Sequence, residues 1–167
     1  MKRHPGWLAA GLLLFAVLAC NMSKNHNYNS NNSNSNSNSN SNKRTTAPTV
    51  NRPANAEVYV DRIRMAKDDN GDPGASATTY EASDHTIHCV ADLNKAKGGT
   101  TMKFVWIAVD VANGQNGEIR AIDYTTRSFE NKIHAHLTAP KDWPRGSYRV
   151  EVYVNGALDK VIEFTVE

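Results

Sequence analysis

Three histidines carry the sharpest chemical signal in this 167-residue chain. His134 and His136 sit two apart and alternate with Ile133, Ala135 and Leu137. On a strand, side chains two apart share a face, so both imidazoles stand opposite an apolar stripe. His88 lies in a second alternating segment, residues 86–93. There Ile87, Cys89, Ala91 and Leu93 take one face, and His88, Val90 and Asp92 the other. Two neutral imidazoles on one strand and a third from a neighbour can supply three ligands to Zn²⁺ or Cu²⁺. Asp92 is available as a fourth ligand or as a group behind one. A solvated polar face that happens to use histidine would show the same pattern, because no Cys or Glu spacing completes a recognisable metal motif.

Other constellations are weaker. Asp68, Asn70 and Asp72 alternate like the opening of a calcium loop. Pro73 stands where that loop needs glycine and Thr79 where it needs a bidentate glutamate, so an acidic surface turn is expected. Ser83-Asp84-His85 has the residue types of a hydrolase triad, but consecutive residues cannot converge as triad members do. There is no nucleophile elbow, HExxH, phosphate-cradling loop or dinucleotide fingerprint. The expectation is a protein that is not an enzyme and has no resident cofactor. Trp143, before Tyr148, is expected to close a core rather than stack on a ligand.

The chain divides into three segments of unlike composition. All 17 acidic residues fall in 55–167 against 13 Lys and Arg, a net charge of −4 there. Such a domain is a poor partner for nucleic acid, whose phosphates need clustered Lys and Arg. Met1-Lys2-Arg3-His4 is a short positive start, and Trp7 to Leu18 is an apolar run too short for a bilayer span of about 20 residues. It has the length of a signal-peptide core. Val17-Leu18-Ala19-Cys20 then resembles the bacterial lipoprotein box. The resemblance implies acylation of Cys20, palmitate among the chains, and an outer-membrane address from Asn21. Each buried methylene contributes about 0.8 kcal/mol, so more than one chain makes a stable anchor. The alternative is an ordinary cleaved signal with an incidental cysteine.

Residues 20–54 read as the lipidated cysteine and a disordered tether. Eighteen of the 22 residues from Asn21 to Asn42 are Asn or Ser, which cannot form a core. A flexible chain of this length spans on the order of 30–35 Å. Lys24, Lys43, Arg44 and Arg52 can hold it near anionic headgroups.

Residues 55–167 are a succession of short β patterns separated by turn residues, with Asn155-Gly156 as a strong hairpin signal. Strands are expected from Val58 to Met65 and at 86–93, 102–111, 118–126, 133–137, 148–154 and 161–166. Cys89, Trp106 and Tyr148-Arg149-Val150 resemble the immunoglobulin core pattern of a strand B cysteine, a strand C tryptophan and Tyr-x-Cys on strand F. The resemblance implies an all-β, immunoglobulin-like antiparallel sandwich of about seven strands, with a tyrosine-corner hydrogen bond from Tyr148. Val150 replaces the second cysteine, so Cys89 is expected as a buried thiol. In that topology strands B and E are neighbours. His88, His134 and His136 then share the outer surface of an A–B–E–D sheet.

Strand C poses a register question. With Trp106 inward, Val105, Ile107 and Val109 face out. A strand apolar on both faces is normally covered on both. Either residues 118–127 fold over it, or the face is a docking patch for an envelope protein, with Arg149 and Tyr153 at its rim. The function expected is a lipid-anchored, extracytoplasmic binding or adaptor module of a bacterial envelope. The alternatives are a metal-binding lipoprotein using the histidines and a structural accessory subunit. Replacing Cys20 by Ser is expected to abolish palmitate labelling and to move the protein from the membrane to the soluble fraction.

Overall fold

The computed structural model describes residues 46–167; the signal, Cys20 and most of the tether lie outside them. Nine strands follow in order: β1 (Val60–Asp69), β2 (Asp72–Ser76), β3 (Thr79–Tyr80), β4 (Thr86–Leu93), β5 (Thr101–Val111), β6 (Gly117–Thr125), β7 (Lys132–Thr138), β8 (Gly146–Val154) and β9 (Ala157–Val166). They form two sheets, in the orders β2-β1-β4-β7 and β3-β9-β8-β5-β6. With β1, β4 and β7 as strands A, B and E, and β5, β8 and β9 as C, F and G, this is an immunoglobulin-like sandwich.

Three details differ from expectation. β6 joins the C–F–G sheet beside β5, so the first sheet is not A–B–E–D. Its remaining edge is β2, the return arm of a hairpin at Asp69-Asn70-Gly71, where Asn70 and Gly71 take φ of 56° and 94°. The breaker cluster there marks a tight turn, not the end of regular structure. The third difference is β3, which pairs parallel with the end of β9, the one parallel pair among the described strands. Asn155 and Gly156, at φ 50° and 84°, make the hairpin that joins β8 to β9.

The core follows from period-two alternation. Ile87, Cys89, Ala91, Phe104, Trp106, Val150 and Val152 are almost wholly buried. Each large apolar side chain taken from water contributes roughly 1.5–3 kcal/mol. Phe164 stacks on Tyr148 at 5.1 Å and meets Trp106 edge-on at 6.1 Å. Tyr148 donates its hydroxyl to the Pro144 carbonyl, the expected tyrosine corner. Trp143 packs edge-on to Tyr148 and donates its ring N–H to the His85 carbonyl, closing that end of the core.

The sandwich begins earlier than residue 55. Asn51 N–H donates to the Leu158 carbonyl at 3.0 Å, and Asn51 Oδ1 accepts from Leu158 N–H at 2.7 Å. Arg52 reaches the buried Asp159 at 3.5 Å and lies 4.6 Å over the Tyr59 ring. These residues, read from composition as tether, are fastened to β9 by backbone and side-chain bonds that composition does not reveal.

Gly146 opens β8 with φ 145°, and a Cβ there would lie 2.2 Å from the Asp110 carbonyl oxygen and 2.7 Å from Val111 Cα. Gly146→Ala is therefore expected to destabilise by about 3 kcal/mol or more. Calorimetry should show a melting temperature lower by roughly 10 °C or more.

Candidate functional site

The outer face of the β2-β1-β4-β7 sheet is set by its register. Ala66 pairs with His88, and His88 with His136; in the next row Arg64 pairs with Val90, and Val90 with His134. Cross-strand partners share a face, so the three histidines form a triangle over β4 and β7. The ring centroids of His88 and His136 are 5.3 Å apart, and those of His88 and His134 are 5.9 Å apart. One ligand nitrogen from each ring lies within 4.8 Å of the others. Tetrahedral Zn²⁺ with bonds of about 2.0–2.1 Å needs nitrogens about 3.3 Å apart. Rotations of the two exposed rings, His134 and His136, can close that gap.

His88 is not a solvated surface residue. Its exposure is 0%. On the β1 side its neighbour is Ala66, a side chain small enough to leave space for a ring. His88 Nε2 lies 2.8 Å from Asp68 Oδ1, while Nδ1 is buried without a hydrogen-bond partner. A buried polar atom left unpaired costs about 1–3 kcal/mol. The remaining two imidazoles are exposed, so the triangle has one rigid corner and two adjustable ones.

Asp68 is the carboxylate next to His88, a residue the sequence marks only as part of an acidic surface turn. Both of its oxygens also accept the Gly71 N–H, at 3.2 and 3.3 Å. The His88 hydrogen bond holds the Asp68 carboxyl below its ordinary range. Partial desolvation opposes that, while Gly71 and the His88 and His136 rings act with it. Asp92, the carboxylate favoured from sequence, stands elsewhere. It lies in the Arg62–Asp92–Lys132 row, 3.7 Å from each of those cations. The Arg64 guanidinium is turned toward β2, donating to the Gly74 carbonyl at 3.2 Å. A cavity of about 380 Å³ at the seam between β6 and β7 is lined by Arg120, Ile122, His134, His136 and Thr138.

The second candidate surface is different. Val105, Ile107 and Val109 form their own small cluster against Tyr153, and none of the three is more than 8% exposed. Residues 117–125 do not fold over it, because β6 lies in the plane of the sheet as the partner of β5. Arg149, expected at a rim, is 3% exposed and bonds Glu151 at 2.8 Å; Tyr153 donates its hydroxyl to the other Glu151 oxygen at 2.8 Å. Lys103 sits 4.6 Å above the Tyr153 ring. Val105–Ile107–Val109 is thus a buried apolar strip beside a buried ion pair. The Ser83-Asp84-His85 side chains do not assemble: Asp84 bonds Lys67 at 2.8 Å, and His85 bonds Asp142 at 3.0 Å.

No protein family model matches this chain, and neither does any curated protein. Among solved structures it is similar to an immunoglobulin-like protein of Pseudomonas aeruginosa, at 18% identity and a TM-score of 0.49, over 69% of this chain and 100% of that one. It is also similar to parts of two enzymes. One is an alkylpurine DNA glycosylase of Pseudomonas fluorescens, at 14% identity and TM-score 0.41, over 67% of this chain and 31% of that one. The other is a GH3 β-glucosidase of Bifidobacterium adolescentis, at 18% identity and TM-score 0.39, over 65% and 17% respectively.

Cys89 is the free thiol of the described residues, wholly buried, and burial pushes its pKa well above the usual thiol range. The thiolate is the reactive form, so a native Cys89 is expected to be silent to a thiol reagent at mildly alkaline pH. The Cys20→Ser chain isolates this thiol. It should give no reaction while folded and one equivalent per chain once denatured; a full equivalent from the folded chain would contradict the burial.

Proposed function

We propose that this protein is a lipid-anchored, extracytoplasmic and non-catalytic binding module of a bacterial envelope, whose ligand is a divalent transition metal held by His88, His134 and His136. One observation carries the reading: His88, whose buried Nδ1 has no hydrogen-bond partner, belongs to a set of three imidazoles that each place one ring nitrogen within 4.8 Å of the others. An all-imidazole set suits Zn²⁺ and Cu²⁺ and leaves a fourth position to solvent or a further ligand. The lipoprotein-like Val17-Leu18-Ala19-Cys20 and the Asn/Ser tether support the placement of the site in the envelope. Docking of an envelope protein on Val105, Ile107 and Val109, with Arg149 and Tyr153, is the weaker reading, because a docking face must offer accessible apolar area and this strip is buried.

Titration calorimetry of the full-length, detergent-solubilised chain with Zn²⁺ and with Cu²⁺ is the test. One ion per chain is expected. His134→Ala and His136→Ala should each weaken binding at least tenfold, and His88→Ala should do so with some loss of stability. Binding at a hundredfold excess over the wild-type Kd stabilises by about 2.7 kcal/mol, and a tenfold weaker variant gains only about 1.4 kcal/mol at the same concentration, so the melting temperature of the wild type should rise more than that of the single variants. Saturation that is unchanged in the His134→Ala, His136→Ala double variant would sink the reading.

A further inference from the structure

We infer that Asp68 is the positioning residue of this centre: it holds His88 as the Nε2–H tautomer, so that the buried Nδ1 lone pair is the metal-binding atom. The inference rests on the metal reading above and deepens it. Three observations converge on it. Asp68 Oδ1 lies 2.8 Å from His88 Nε2, a distance at which the ring nitrogen must carry the proton if the carboxylate is ionised. Nδ1, the other nitrogen, is buried and has no hydrogen-bond partner. The ring itself is 0% exposed, so it cannot swing out to offer Nε2 instead without leaving its site.

The carboxylate is itself held. Asp68 is the last residue but one of β1, and both of its oxygens accept the Gly71 N–H across the turn. Gly71 adopts φ 94°, a conformation that side-chain-bearing residues rarely take. The β1–β2 hairpin thus fixes Asp68, and Asp68 fixes the His88 ring, whose centroid lies 5.3 Å from that of His136 and 5.9 Å from that of His134 on β7. A carboxylate behind a ligating imidazole sets the tautomer, orients the ring and raises its basicity. His134 and His136 have no such support among the described residues, which makes His88 the corner on which the other two close.

Two measurements test this on the full-length chain. In the metal-free protein, ring nitrogen chemical shifts recorded above the ordinary imidazole titration range should show His88 as the Nε2–H form. Asp68→Ala should shift it toward a mixture. With Zn²⁺ or Cu²⁺ alone as probe, Asp68→Ala should lose about 10–100-fold in affinity. Asp68→Asn, which keeps an acceptor oxygen for both Gly71 and His88, should keep the tautomer and recover part of that loss; it also covers the case in which the alanine variant does not fold. A wild-type His88 protonated on Nδ1, or Asp68 variants that bind metal within twofold of wild type, would overturn the inference. A wild type that binds neither ion would instead overturn the metal reading, and the tautomer measurement would still decide the role of Asp68.

Discussion

The pairing of β4 with β1 on one side and β7 on the other is the constraint from which the rest follows. Its register places Met65, Cys89 and Ala135 together on the inner face, and Ala66, His88 and His136 together on the outer one. A slip of one residue would send every side chain to the opposite face. The apolar residues forbid that slip, because Ile87, Cys89 and Ala91 are at 0% exposure in a core shared with Trp106 and Val150. The hydrophobic term that seals the sandwich therefore also assembles the imidazoles. The same register brings them together at the cost of burying one unpaired ring nitrogen of His88, about 1–3 kcal/mol.

What could be read in advance was what alternation and turn chemistry encode. The segment 86–93 is visible from its alternation, and the same pattern points His134 and His136 away from Ile133 and Leu137. Adding the neighbouring of strands B and E brings His88 into the group, and the triangle follows. The part that stayed hidden depends on geometry that has no period. Asp68 is one acidic residue among several in a turn. Its role comes from the hairpin at Asn70-Gly71, which carries its side chain back over β4. Asp92 looked better because it shares a strand with His88, yet its row is occupied by Arg62 and Lys132. The burial of His88 was likewise unreadable, since a polar residue on an outward register position is ordinarily solvated. The edge arrangement was missed for a related reason. The short β2 and β3 carry too few residues to show alternation, and the membership of β6 in one sheet or the other depends on where the chain turns after Val111.

The two faces of the sandwich make opposite offers. On the C–F–G side, apolar Val105, Ile107 and Val109 and the Arg149–Glu151 pair are withdrawn from solvent. On the A–B–E side, a polar ring is buried with one nitrogen unpartnered, and two exposed rings stand next to it. The proposed binding chemistry is placed on the second, because a buried polar atom without a partner gains most from a ligand that satisfies it.

X-ray absorption at the zinc edge of the Zn²⁺-loaded full-length protein tests the central claim most directly. The account predicts a first shell of three imidazole nitrogens and one oxygen at about 2.0–2.1 Å, with the outer-shell scattering that imidazole rings produce. A shell made of oxygens without imidazole scattering, or one unchanged when His134 and His136 are both alanine, would contradict it.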